Sequence, residues 1–204
     1  MVQPITGTIS PFSAVDLPHD LYTSSTEGYR RLRVDVGQTG FFRGKEFRGF
    51  FEFNIPAGQV QTFKFTSPVN FILIEQNISV DAGSIRFQAF GSTGVTEVAT
   101  FATPLLVVGK NRMTEREFPY YVPQVTINTH SAPVALNSDI TGGTVVEVVR
   151  VVAANATAQQ QSVSGGAQTE RGLPAGSYYL RLHNFGSGAA TGVYAIVWEE
   201  RSAP

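Results

Sequence analysis

The chain has 204 residues, with 15 Lys and Arg against 16 Asp and Glu, a formal net charge of −1 and only 15% charged residues. Soluble domains ordinarily carry about 25% charged residues, so this surface is unusually neutral for its size. Ordinary hydrophobicity (42%) and plentiful aromatics (11%) exclude a disordered chain, and the lack of cysteine excludes a disulfide scaffold or thiolate metal site. Charge near zero gives no electrostatic case for nucleic acid or for an anionic membrane as partner.

The length suits one all-β unit with a sizeable core that needs no cofactor, metal or disulfide to hold it. No run approaches the roughly 18 apolar residues of a membrane span. The opening MVQPITGTISPF has neither a basic region nor an apolar stretch, so no secretory signal is read and synthesis in a cytoplasm is expected.

Residues 1–28 read as an extended N-terminal arm. Pro4, Pro11 and Pro18 remove donors and fix φ, while Ile5, Ile9, Phe12, Val15, Leu17, Leu21 and Tyr22 supply apolar side chains without a sustained period. Such an arm is suited to docking on its own body or on a neighbouring subunit; a mobile tail is the alternative.

Residues 29–204 read as a single β-sandwich domain. Apolar and charged residues alternate over Arg31–Val36, and Phe51, Phe53 and Ile55 share one face opposite Glu52 and Asn54. Pro56-Ala57-Gly58 carries turn chemistry of the hairpin type, and Asp81-Ala82-Gly83 turns the long apolar strand Phe71–Val80. Ile85, Phe87 and Ala89 then alternate with Arg86 and Gln88, and short strands are expected at 95–98, 105–108 and 122–127. The Val-rich run after Gly142-Gly143 suits a strand buried on much of both faces. Residues 153–170 fit a long loop or a short helix equally well. Strands at 177–182 and 193–198 close the chain. Leu173-Pro174-Ala175-Gly176 echoes Ile55-Pro56-Ala57-Gly58, as though one turn solves the same sheet-corner problem twice. About ten strands at this spacing indicate an antiparallel sandwich or barrel.

Little in the sequence points to chemistry. His19, His130 and His183 fall in no metal-binding spacing, no GxSxG elbow is present, and the aspartates form no calcium loop. Asp81 and Asp139 sit in turn-like contexts that explain them. Glu97, Glu147, Glu199 and Glu200 are available for a glycosidase-type pair, but a solvated strand face accounts for them better. Basic residues gather at Arg30, Arg31 and Arg33, at Arg43, Lys45 and Arg48, and at Lys110, Arg112 and Arg116, the first two groups flanking Phe41, Phe42, Phe47, Phe50 and Phe51. Stacking on single-stranded nucleic acid is disfavoured by the net charge, and arginine at a protein interface is the better reading. The segment 109–121 is the most charged in the chain and reads as a solvated loop or a contact loop.

The runs GYRRLRVDVGQTGFFRGKEFRGFFEFNIPAGQ, SPVNFILIEQNISVDAGSIRFQAF, GKNRMTEREFPYYVPQ and RGLPAGSYYLRLHN…GVYAIVWEER resemble virion structural proteins of tailed bacteriophages over residues 28–201. The resemblance implies a non-enzymatic capsid cement or decoration protein. Such proteins are commonly jelly-roll-like sandwiches, often homotrimers, with an arm laid over the major capsid protein. It brings no catalytic residues and no cofactor, and it places the chain in the virion. The arm residues and the Arg/Phe region 30–51 would make the contacts. Alternatives are a tail, neck or fibre component, including a glycan-binding module faced by Tyr120, Tyr121, Tyr178, Tyr179 and Trp198, and, less favoured, a polysaccharide-degrading enzyme.

Overall fold

Alternation of apolar and polar residues sets the architecture from Glu46 onward. The computed structural model describes residues 21–23, 30–32, 39–111, 121–153, 159–164 and 171–201. The chain divides into two units, Met1–Thr39 and Gly40–Pro204. In the first, β1 (Leu21–Thr23) pairs antiparallel with β2 (Arg30–Leu32), Leu21 opposite Leu32. The rest of the expected arm, with Ile5, Ile9, Phe12 and Leu17, lies outside the described residues, and the strand read over Arg31–Val36 is described only to Leu32.

A helical turn, Thr39–Phe42, precedes the strands of the second unit: β3 (Glu46–Ile55), β4 (Gln59–Ser67), β5 (Phe71–Ala82), β6 (Ser84–Phe90), β7 (Val95–Glu97), β8 (Thr103–Pro104), β9 (Val107–Gly109), β10 (Thr126–Thr129), β11 (Val134–Ala135), β12 (Ile140–Gly142), β13 (Val145–Val152), β14 (Gln159–Ser164), β15 (Arg171–Leu173), β16 (Gly176–Asn184) and β17 (Ala190–Glu200). They form an all-β sandwich of two antiparallel sheets. One runs β13-β6-β16-β4-β10-β8 with β11 added on β4, and the other runs β14-β5-β17-β3-β9 with β15 added on β5. If β3, β4, β5, β6, β13, β14, β16 and β17 are numbered one to eight, the sheets read 5-4-7-2 and 6-3-8-1. This is the jelly-roll order, two interlocked Greek keys.

That order corrects the hairpin reading of the Pro56 turn. The Pro56 turn joins β3 to β4 and the Asp81 turn joins β5 to β6, yet neither pair shares a sheet. Both are arches from one sheet to the other. Gly58 (φ 72°) and Gly83 (φ 84°) adopt the left-handed backbone these corners require. The echoed Leu173–Gly176 turn makes the same crossing, from β15 in the six-stranded sheet to β16 in the seven-stranded one. Asn184 ties the corners together, its Nδ2 donating to Ile55 O (2.7 Å) and Gly188 O (2.8 Å) while its own carbonyl accepts from Gly58 N (3.0 Å). Residues 159–164, left open between loop and helix, are a strand.

The core fills the space between the sheets. Trp198 is fully buried, 5.3 Å from Phe65 and 6.0 Å from Phe47, and Tyr194 stacks on Phe63 at 5.3 Å. The Tyr194 hydroxyl donates to Gln76 Oε1 (2.9 Å), so these two buried polar groups satisfy each other. Burial pushes the Tyr194 hydroxyl well above its ordinary value. The expectation for the Val-rich run is overturned: β13 pairs only β6, at the end of its sheet, and its alternate residues Val146, Val148 and Val152 face outward, Val146 at 63% exposure. Local composition cannot tell a central strand from an edge one.

Between β6 and β13 the chain adds β8, β10 and β11 to one sheet and β9 to the other, and part of it lies on the outer face of the seven-stranded sheet. There β7 pairs with β12, and a second small core forms from Phe90, Ile140 and Tyr179 with Val95 and Phe101. A buried ion pair holds it. Arg181 donates from Nε to Asp139 Oδ2 (2.7 Å) and from Nη2 to Asp139 Oδ1 (2.9 Å) and Ile140 O (2.8 Å). Thr62 Oγ1 donates to the same carboxylate at 2.6 Å, and the guanidinium lies 5.0 Å from the Phe90 ring centre. Asp139, expected merely to shape a turn, is fully buried.

Removing one partner of such a pair strands a buried charge. Asp139→Ala should cost about 3–5 kcal/mol in urea unfolding, and the double variant Asp139→Leu/Arg181→Met should recover most of it. At Gly192 a Cβ would lie 2.0 Å from Ser79 O, so Gly192→Ala should lose about 1–3 kcal/mol by the same measurement.

Candidate functional site

The two outer faces of the sandwich differ. One carries the second core just described; on the other, that of the six-stranded sheet, the helical turn at Gly40 packs on Glu199 at one end, where Glu46 and Glu199 are buried, while Arg48 and Phe50 further along β3 are exposed. Its side chains follow from the register. Val197 lies between Arg48 on β3 and Glu75 on β5, Ala195 between Phe50 and Asn77, and Val193 between Glu52 and Ser79. The small central residues leave a furrow between two polar ridges. Where Arg48, Lys110, Glu75 and Asn77 border Ala195 and Val197, the furrow encloses about 280 Å³. Phe50 stands beside it at 46% exposure. Asn77 Nδ2 donates to Glu75 Oε1, and Lys110 Nζ donates to Glu46 Oε2 at 2.9 Å, which fixes the ends of both ridges.

Of the basic residues singled out by sequence, the structure thus brings Arg48 and Lys110 together on one face. Arg43 is exposed, and Lys45 is half-buried with its ammonium 5.1 Å from the Tyr121 ring centre, a cation–π contact. Arg30 and Arg31 belong to the hairpin of the N-terminal unit, Arg30 opposite Thr23 and Arg31 opposite Tyr22. Arg112 and Arg116, with most of the charged segment 109–121, lie outside the described residues. Glu75 and Asn77 were hidden in the run read as a long apolar strand. Their spacing at 75, 77 and 79 is the signal: polar residues at period two inside FILIEQNISV mark an outward row.

The carboxylates expected on a solvated face are partly elsewhere. Glu200 is fully buried and accepts from the Gln124 (3.0 Å) and Val125 (3.0 Å) backbone amides, with Trp198 Nε1 3.3 Å away. Glu199 is buried as well, with Arg201 Nε at 3.2 Å. Glu200 fastens the chain ahead of β10 to the end of β17, a structural task. Glu97 does reach the surface, pairing with Lys64 (2.6 Å) and accepting from Tyr179 OH (2.6 Å). Burial raises its pKa, but these hydrogen bonds and the Lys64 charge outweigh that and hold the carboxyl below its ordinary range. Among the described residues no group of three His, Asp or Glu side chains is placed to hold a metal ion, and no helix is long and apolar enough to cross a membrane.

The aromatic residues proposed for a sugar-binding face are largely committed to packing. Trp198 and Tyr179 are buried, and Tyr178 and Tyr121 are half-buried, packed against the main core. Tyr120 lies outside the described residues. Phe50 is the exposed aromatic of the open face.

The two described histidines are structural. His130 is buried; Thr62 N donates to its Nε2 (3.0 Å), so its hydrogen is on Nδ1, which donates to Ala132 O (2.5 Å). His183 lies in β16 directly across from Arg86. Burial, then the Arg86 and Arg181 charges, push its imidazole below the ordinary value, against an upward pull from Asp139. In acid the unfolded chain takes up a proton there that the folded chain resists, so stability is lost as pH falls below about 6.5 toward the folded value. Thermal unfolding followed from about pH 7.5 down to 5 should show wild type losing more stability than His183→Gln, with no such divergence on the alkaline side.

Compared with known proteins, the chain matches no family model, no curated protein and no solved structure.

Proposed function

We propose that this is a non-enzymatic structural protein of a tailed-phage virion, most readily a capsid cement or decoration protein that binds and stabilises neighbouring major capsid subunits. The observation that carries the reading is the open face of the six-stranded sheet. It combines an exposed aromatic, an arginine and a lysine with two carboxylates and an amide, in a furrow set by strand register. Arginine and aromatic anchors with matched charges are the residue types that protein interfaces favour. Three further features support it: the sequence resemblance over residues 28–201, a chain that needs no redox chemistry, and low overall charge. In this reading the protein acts as a homo-oligomer, with a trimer favoured, and the N-terminal arm supplies a second contact. It is made in the host cytoplasm and ends in the particle.

The same furrow favours a second reading, a tail, neck or fibre component that holds a saccharide. Phe50 would offer a ring to stack on, and Arg48, Glu75, Asn77 and Lys110 would offer donors and acceptors.

Co-sedimentation with capsids of the phage that encodes the chain separates the two. Wild type should pellet with capsids, and removal of residues 1–28 or the double change Arg48→Glu/Phe50→Ala should weaken binding at least tenfold, a loss of about 1.4 kcal/mol. Full binding by both variants overturns the cement assignment. Retention on a glycan array that disappears in the double variant establishes the saccharide reading.

A further inference from the structure

The inward faces of the two sheets do not meet everywhere. At the end where β13 begins and β15 joins β5, an apolar cavity of about 230 Å³ lies between them. Its floor comes from both sheets: Phe65, Ala89 and Leu180 from one, Phe71, Leu73 and Ile196 from the other, all buried. Its rim is formed by Val146, Leu173 and Tyr178, all at least partly exposed, with the half-buried Glu147 beside them.

Two irregularities open this gap. The pairing of β13 with β6 shifts by one residue between Val145 and Glu147, at the rim. Across the sandwich, the strand edge beside β5 is split. β15 covers Phe71–Leu73 and β14 covers Gln76–Val80, with a second register shift at Ser162/Ser164. Bulges bend and twist a strand away from its neighbour, and both shifts lie at the cavity, whose lining includes Glu147 and Gln76.

Protein interiors are packed to the density of organic crystals, so an apolar void of this size in a core is unusual. Walls with so few polar groups will not hold ordered water, because a buried water needs two to four polar partners. A comparable apolar cavity of about 150 Å³ stays dry and admits a benzene ring. By that measure the present one accommodates a fused bicyclic ring or a short hydrocarbon chain. Phe65, Phe71 and Tyr178 supply aromatic walls suited to edge-to-face contact with a ring. The apolar walls set the charge of the occupant: an ionised head group would lose its hydration there with little to replace it, so the site selects against fatty acids and aromatic acids.

We infer that the cavity between Ala89, Leu180, Phe71 and Leu173 is a binding site for a small uncharged aromatic or aliphatic molecule. The site is inside the sandwich and separate from the open sheet face, so it stands or falls independently of the virion assignment.

The test uses indole as the neutral probe and indole-3-carboxylate as its anionic counterpart, on the full chain. Saturating indole should raise the melting temperature by about 2–4 °C, and saturation-transfer NMR should show bound indole. Indole-3-carboxylate should do neither with wild type. Ala89→Leu should abolish the indole effect while melting no lower than wild type, because its added carbons enter space that already exists. Leu173→Trp, which closes the rim from a half-buried position, should abolish the effect without relying on a core change. Absence of any indole effect on wild type overturns the proposal, as does an undiminished effect in both Ala89→Leu and Leu173→Trp.

Discussion

Arg181 projects from the outer surface of a β-sheet, where a guanidinium would ordinarily be hydrated, and is instead sealed against Asp139 with both side chains buried. Removing two ions from water costs several kcal/mol each, and attraction offsets this only when geometry is good and the remaining hydrogen-bonding capacity is used. Both conditions are met. The contact is bidentate, Thr62 donates to the carboxylate, and the Ile140 carbonyl takes a further guanidinium hydrogen. The backbone of the same aspartate is also engaged, its carbonyl accepting from Val98 N and Ala99 N at 2.9 Å. A single residue therefore links the sheet beneath, the β12 strand it precedes and the segment following β7. The second core of Phe90, Ile140 and Tyr179 is assembled around that link.

This clasp gives the sandwich its asymmetry. A jelly roll presents two outer faces with similar alternation, and nothing in the strand order distinguishes them. Here β7, β12 and the turns around them, part of the long stretch between the fourth and fifth strands of the roll, lie on one face, where Lys64, Thr62, Tyr179 and Arg181 meet Glu97 and Asp139. The corresponding outward row of the other sheet, Arg48, Phe50, Glu52, Glu75 and Asn77, has no such clasp among the described residues. Which outer face is covered is thus decided by where β7 and β12 fold, not by the sheets themselves.

How much of this was legible in the sequence depends on the range of the interaction. Alternation is local, so Phe53 and Ile55, or Ile85, Phe87 and Ala89, announce both a strand and its buried side. Turn chemistry at Pro56 and Gly58 is equally local, but it cannot say whether the next strand pairs with the last or crosses to the opposite sheet. That depends on β17 lying between β3 and β5, partners more than a hundred residues away. Outward polar residues are ambiguous for the same reason. Arg181 and Arg48 occupy equivalent alternating positions in their strands, and only the placement of Asp139 and Ile140 over one of them buries it and leaves the other in water. The valines of β13 show the converse: a composition suited to a sheet centre is placed at an edge. The furrow could be glimpsed in Glu75 and Asn77, whose spacing is regular, whereas its smooth floor of Ala195 and Val197 is apolar and reads simply as strand.

The charge arithmetic gains meaning from these placements. Of 31 charged side chains (15 plus 16), Glu46, Asp139, Arg181, Glu199 and Glu200 are buried. On the open face the remaining charges come as opposed ridges, Arg48 and Lys110 against Glu75, so the face carries little net field to attract a partner from a distance. Electrostatic complementarity of that kind fixes register more than it speeds encounter. A partner would be selected by fitting the furrow and covering Phe50, with each charge meeting its opposite, and a strongly charged polymer would find no continuous patch to follow. On the proposed reading, low charge and a structured, mixed-sign face are thus two views of one property, a surface suited to short-range fit.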